Sequence, residues 1–166
     1  MTGAAAEAAL HARIARLAER LRERGEMLAT AESCTGGMIA AALTALPGSS
    51  AWYERGFVTY SNAAKIDMLG VARATLEREG AVSEATAEEM AAGAIARSEA
   101  NLAVGVTGIA GPAGGSADKP VGTVCIGWCR GGAAPRAQTF HFTGDRAAVR
   151  HASVLAALDG LLRELE

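Results

Sequence analysis

Four short stretches of this sequence gather residue types that can do chemistry. The first is Ala31-Glu32-Ser33-Cys34-Thr35-Gly36-Gly37. A strand from Met27 to Glu32 is expected to run into it, and an apolar helix to begin there. A serine hydroxyl in such a turn can attack a carbonyl, while N–H groups at the helix N-terminus meet the oxyanion that forms. Gly36 and Gly37 would let a ligand approach the backbone closely. A plainer part also suits these residues: Ser33 or Thr35 caps the helix and the glycines make a tight turn. Cys34 offers a thiol next door, but neighbours in a strand-to-helix turn should point in different directions. No Gly-Lys-Ser/Thr follows, so the stretch is not a P-loop.

The second stretch is Tyr60-Ser61-Asn62-Ala63-Ala64-Lys65. A lysine becomes a useful base only where burial or a neighbouring cation keeps it neutral. Ile66, Met68 and Leu69 follow Lys65 and fit partial burial, although a lone lysine on a short helix ordinarily lies in solvent. The third, Thr107-Gly108-Ile109-Ala110-Gly111-Pro112, leaves a strand for a glycine-rich loop. Such loops line ligand crevices in α/β folds, or are simply flexible connections. The fourth is Gly144-Asp145-Arg146, with Arg150 one helical turn later. Arg146 at a helix start could hold a phosphate bidentately, or pair with an acidic neighbour on the surface. The histidines argue against a Ser-His-Asp layout: His11, His141 and His151 all fall outside Gly- or Ser-rich turns. No His/Asp/Glu spacing suggests a metal, and no cofactor is expected.

The elements that would position these residues can be read from the pattern. Leu10, Ile14, Leu17 and Leu21 mark an amphipathic first helix ending at Gly25. After the first strand, the uncharged run from Ser33 to Tyr53 has a strongly apolar part only from Met38 to Leu46, far short of the roughly 20 residues of a membrane span. It reads as a buried helix and a turn. Phe57 to Ser61 suggests a second strand, Asn62 to Leu69 a short helix, and Ser83 a cap for a helix with Met90, Ala94 and Ile95 inward. Leu102 to Thr107 is a β-branched strand, and Val121 to Cys129 with Arg136 to Phe142 a hairpin. Thr143-Gly144-Asp145 opens a last helix buried along Val149, Leu155, Leu158 and Leu162. Interleaved helices and strands followed by a hairpin predict an α/β fold, a three-layer α/β/α sandwich with a mixed sheet, in one domain over residues 1–166.

Composition narrows the classes. The 166 residues suffice for a sizeable core, built with only seven aromatics. The net charge is −2 with Lys and Arg scattered, so no basic stripe invites nucleic acid. Three cysteines without CxxC spacing fit free thiols in a reducing compartment, hence a cytoplasmic location. Charges every few residues before Arg24 argue against a signal peptide, and nothing invites a membrane.

Taken in order, the four stretches, together with Val82-Ser83-Glu84 and Lys119-Pro120-Val121-Gly122-Thr123-Val124, resemble the CinA C-terminal-domain family over about residues 8 to 164. That family includes stand-alone nicotinamide-nucleotide amidases, and the absence of a preceding domain resembles this short form. The resemblance implies hydrolysis of the carboxamide of nicotinamide mononucleotide, a small-molecule nucleotide, to nicotinic acid mononucleotide and ammonia in pyridine nucleotide recycling. It implies a Ser/Lys mechanism with Ser33 as nucleophile and Lys65 as base. Tyr60 joins them at the catalytic centre. Thr35, Gly36, Gly37, Thr107, Gly108, Gly111 and Arg146 are expected to contact substrate, and the resemblance implies a homodimer or larger homo-oligomer. Two other readings fit the resemblance: an amidase of another substrate, and a non-catalytic interaction module of the competence- or damage-inducible kind.

Overall fold

The computed structural model describes residues 3–166; Met1 and Thr2, part of the expected 1–166 domain, lie outside the described residues. Five strands form one mixed sheet in the order β2-β1-β3-β4-β5. Strands β1 (Leu28–Glu32), β2 (Tyr53–Val58) and β3 (Leu102–Gly108) run parallel, while β4 (Thr123–Arg130) and β5 (Arg136–His141) return antiparallel as the expected hairpin. Six helices pack on the two faces: α1 (Gly3–Arg24), α2 (Met38–Thr44), α3 (Asn62–Leu69), α4 (Arg73–Glu79), α5 (Glu84–Ala96) and α6 (Arg146–Glu164).

Strand alternation sorts the core into two. Leu28, Val104, Val106, Ile126 and Trp128 face α1, α2 and α6 and meet Leu17, Leu21, Ile39, Leu158 and Leu161. Ala29, Ala31 and Ala103 face the other way, against Leu69, Leu76, Met90 and Ala94 of α3, α4 and α5. The second face is lined by small residues, so α5 lies close: a Cβ on Gly105 would sit 2.8 Å from the Ala87 carbonyl oxygen. Helices on both faces of a mixed sheet make the three-layer sandwich.

Several boundaries differ from expectation. The second strand begins at Tyr53 and ends at Val58, so Tyr60 and Ser61 lie in the following loop. Helix α2 starts only at Met38, and of its residues only Ile39 and Leu43 are buried. It is half-covered, not a buried helix. Helix α4 was not anticipated. Leu155 and Ile95 are half-buried; the buried side of α6 runs through Val149, Ser153, Val154, Ala157, Leu158 and Leu161. Ser83 caps α5 as expected, accepting from the Thr86 N–H.

All three parallel strands end on one side. The chain leaves β1 toward β2 and leaves β3 toward β4, in opposite directions across the sheet. A crevice opens outside the carboxyl ends of strands at such a reversal.

Candidate active site

The placement of the Ser33 turn follows from this alternation. Ser33 continues β1, its N–H donating to the Val106 carbonyl at 2.9 Å, so its side chain shares the face of Ala29 and Ala31. Cys34 falls on the opposite face and packs into the core of α1, α2 and α6. The chain then reverses through Gly36 and Gly37, at φ of 57° and 100°, where a side chain would be strained.

Helix α3 brings Lys65 to the same face. Ser61 caps the helix through the Ala64 N–H, and Gly70 ends it. Lys65 is only 1% exposed. Its Nζ lies 3.0 Å from Ser33 Oγ, 3.0 Å from the Thr59 carbonyl oxygen and 3.2 Å from that of Tyr60. Burial lowers its pKa below the ordinary lysine value. Its place in the first turn of α3, where the helix dipole disfavours a cation, works in the same direction. A neutral amine has two N–H groups and one lone pair. In the neutral form the Thr59 and Tyr60 carbonyls can accept both N–H groups, and the lone pair is then free to face Ser33 Oγ.

A cavity of about 220 Å³ opens above the pair. Ser33, Lys65, Tyr60, Thr107, Gly108 and Arg146 all line it, and none of its lining residues is Asp or Glu. Thr107 faces the Ser33 side and donates from Oγ1 to the Ala81 carbonyl at 2.8 Å. Gly108 leaves no room for a side chain, since a Cβ would sit 2.7 Å from Val124 Cγ2 and 3.1 Å from Cys34 Sγ. Arg146 bridges the mouth, donating to the Gly111 carbonyl at 2.8 Å and to the Tyr60 hydroxyl at 3.2 Å. Tyr60, a residue 63% exposed, meets Lys65 through its backbone carbonyl and Arg146 through its phenol.

Thr35, Gly36, Gly37 and Gly111 do not line this cavity. Thr35 is fully buried, and its hydroxyl has no hydrogen-bond partner among the described residues. Neither Ser33 nor Thr35 caps α2. The cap position is Gly37, without a side-chain bond, and the Ile39 and Ala40 N–H groups donate to the two carboxylate oxygens of Glu32 at 2.9 and 3.0 Å. The helix N-terminus expected to face an oxyanion is therefore already occupied. Sequence reasoning missed this use of Glu32, and that of Arg150, which donates to the Cys34 and Thr35 carbonyls at 3.0 and 3.2 Å. Cys34 lines the cavity beside Ser33, but burial pushes its thiol up to about 11.

A second hollow, between α1 and α2, is walled mainly by Leu10, Ile14, Ala42 and Leu46 and holds no such pair. Among the described residues no helix is long and apolar enough to cross a membrane.

Known proteins carry the same fold and much of the same sequence. Nicotinamide-nucleotide amidohydrolase PncC of Enterobacter agglomerans is 49% identical over 158 residues, covering 95% of this chain and 96% of that protein. The protein of the same name from Pseudomonas putida is 53% identical over 148 residues, 89% of this chain and 92% of that one. The crystal structure of competence/damage inducible protein CihA from Agrobacterium tumefaciens matches with a TM-score of 0.93 at 47% identity, over 95% of this chain and 96% of that one. The family described as CinA C-terminal domain matches residues 10–165, and the chain belongs to it.

Proposed function

We propose that this chain is a serine amidohydrolase that converts nicotinamide mononucleotide to nicotinic acid mononucleotide and ammonia. The observation that carries the chemistry is the buried Lys65 amine 3.0 Å from Ser33 Oγ, with two backbone carbonyls placed to accept its N–H groups. Neutral Lys65 accepts the Ser33 proton as Oγ attacks the carboxamide carbon. Protonated Lys65 passes that proton to the nitrogen as the C–N bond breaks, releasing ammonia and leaving an ester on Ser33. Water attacks the ester as Lys65 takes its proton; the acyl C–O bond to Ser33 then breaks, Lys65 returns the proton to Oγ, and the acid product leaves.

The substrate rests on the relatives named for nicotinamide nucleotides. Arg146 supports a phosphorylated ligand: it stands at the cavity mouth with its guanidinium directed to neutral oxygens, which a phosphate can displace. Such an enzyme returns a deamidated nucleotide to NAD synthesis in the cytoplasm, and it works without metal or cofactor as a homodimer or larger oligomer. An intact, buried base weighs against a purely non-catalytic role. The test is release of ammonia by purified protein from nicotinamide mononucleotide. No release, under conditions where the protein is folded, refutes the substrate; release from other carboxamides but not this one moves the assignment to another amidase.

A further inference from the structure

We infer that Glu32 and Arg150 are positioning residues that hold the Ser33 turn from its two sides; this rests on Ser33 being the nucleophile. Both lie beyond hydrogen-bond reach of Ser33 Oγ and Lys65 Nζ among the contacts the structure makes, and both grip the backbone between Glu32 and Ala40.

The need for a clamp is visible in the chain. From Ser33 to Gly37 the backbone belongs to no strand or helix, and two consecutive left-handed glycines reverse it. Glycines fit that path but do not fix it, because they adopt many other conformations as readily. Within the turn, only the Gly36 N–H to Ser33 carbonyl bond at 3.0 Å, and Met38 N–H to Thr35 carbonyl at 3.0 Å, hold the segment to itself.

Glu32 supplies one external hold. It is the last residue of β1, 1% exposed, and faces opposite to Ser33, toward α2. Its carboxylate spans the first free N–H groups of α2, so the end of the strand and the start of the helix are tied across the five turn residues. Arg150 supplies the other. From the second turn of α6 it holds the two carbonyls that follow Ser33, which fixes the peptide planes of the turn. The Ser33 side of the pair is then held by β1 and its β3 neighbour, by α2 through Glu32 and by α6 through Arg150, while α3 carries Lys65.

The experiment compares Glu32→Gln, Arg150→Ala and Arg150→Lys with Glu89→Gln. Glu89 is a matched control: its carboxylate accepts from the Ala72 N–H and Thr75 hydroxyl at the start of α4, away from the cavity. Each variant is assayed for kcat and KM with nicotinamide mononucleotide, for thermal unfolding, and for amide hydrogen exchange over residues 33–40. We expect Glu32→Gln and Arg150→Ala to lower kcat roughly 10- to 100-fold, as a misplacement of about 1 Å does, with KM within about 3-fold. Exchange over 33–40 rises, Arg150→Lys restores part of kcat, and Glu89→Gln keeps wild-type kcat. Wild-type kcat in Glu32→Gln and Arg150→Ala overturns the inference. So does a kcat loss in Glu89→Gln that matches theirs at the same loss of thermal stability. If Ser33→Ala turns over normally, the nucleophile assignment fails and takes the catalytic purpose of the clamp with it. The exchange measurement separates the cases, since it reports on the turn whether or not Ser33 reacts.

Discussion

Replacing Lys65 with Met removes the proposed base while filling much the same space, and the structure separates its two effects. Lys65 donates to the carbonyls of Thr59 and Tyr60. In Lys65→Met the buried Thr59 carbonyl loses its donor, at about 1–3 kcal/mol, whereas the Tyr60 carbonyl still faces Ser33 Oγ at 3.4 Å. For a domain of this size each kcal/mol is worth roughly 2–4 °C, so the melting temperature should fall by no more than about 12 °C. The chemical loss is larger. A positioned base contributes about 10²–10⁴-fold, and one that serves both acylation and deacylation should sit at the upper end, near 5 kcal/mol of barrier. The assay is ammonia release at saturating nicotinamide mononucleotide, well below both melting temperatures. We expect a folded protein with kcat down by about 10⁴. Ser33→Ala should be as poor, and the double variant scarcely worse than either, because the two groups act as one unit. Cys34→Ala should keep most activity, since a thiol raised to about 11 is not a thiolate near neutrality. If Lys65→Met stays within tenfold of wild type, or if Cys34→Ala is dead while Ser33→Ala turns over, the Ser/Lys mechanism is wrong.

The pH profile tests the same base by another route. Burial favours neutral Lys65, so kcat/KM should rise with pH through one proton loss whose inflection lies below the ordinary lysine value of 10.5; an inflection at or above that value would contradict it. Arg146→Ala should raise KM for nicotinamide mononucleotide with little change in kcat, and should matter far less for the phosphate-free riboside. An equal loss on both substrates would show that Arg146 does not read phosphate. Activity should survive exhaustive chelation with EDTA, since the Ser33 hydroxyl and Lys65 amine supply nucleophile and base without a metal; loss that a divalent ion restores would overturn this.

What could be read from the sequence was local. The Asn62–Leu69 helix follows from Ser61 at its start and Gly70 at its end, both within a few residues of Lys65. The hairpin and the Ser83 cap are likewise short-range. The apolar residues after Lys65 fit only partial burial; its full burial beside Ser33 was not readable, because that contact spans thirty-two residues from the end of β1. Helix α4 escaped notice for a similar reason: Ala72 gives it no side-chain cap, and Glu89, seventeen residues on, accepts the Ala72 N–H instead. The start of β2 was obscured because it is an edge strand, Tyr-Glu-Arg-Gly-Phe-Val, with none of its residues buried. Glu32 stood in plain view inside the first motif. Its partners lie seven and eight residues away across a reversal whose path no periodicity reveals.

The opposite facing of Ser33 and Cys34 has a consequence for how this site can be rebuilt. The strand acts as a two-position selector, presenting alternate residues to Lys65 and withdrawing those between. Removing one residue from β1, with the upstream pairing kept in place, would carry the chain one step back and turn the sulfur toward the amine. A single deletion would thus exchange an alcohol for a thiol without any side chain being substituted. Oxygen and sulfur wait in line at the end of this strand, and the count of residues before them decides which one is presented.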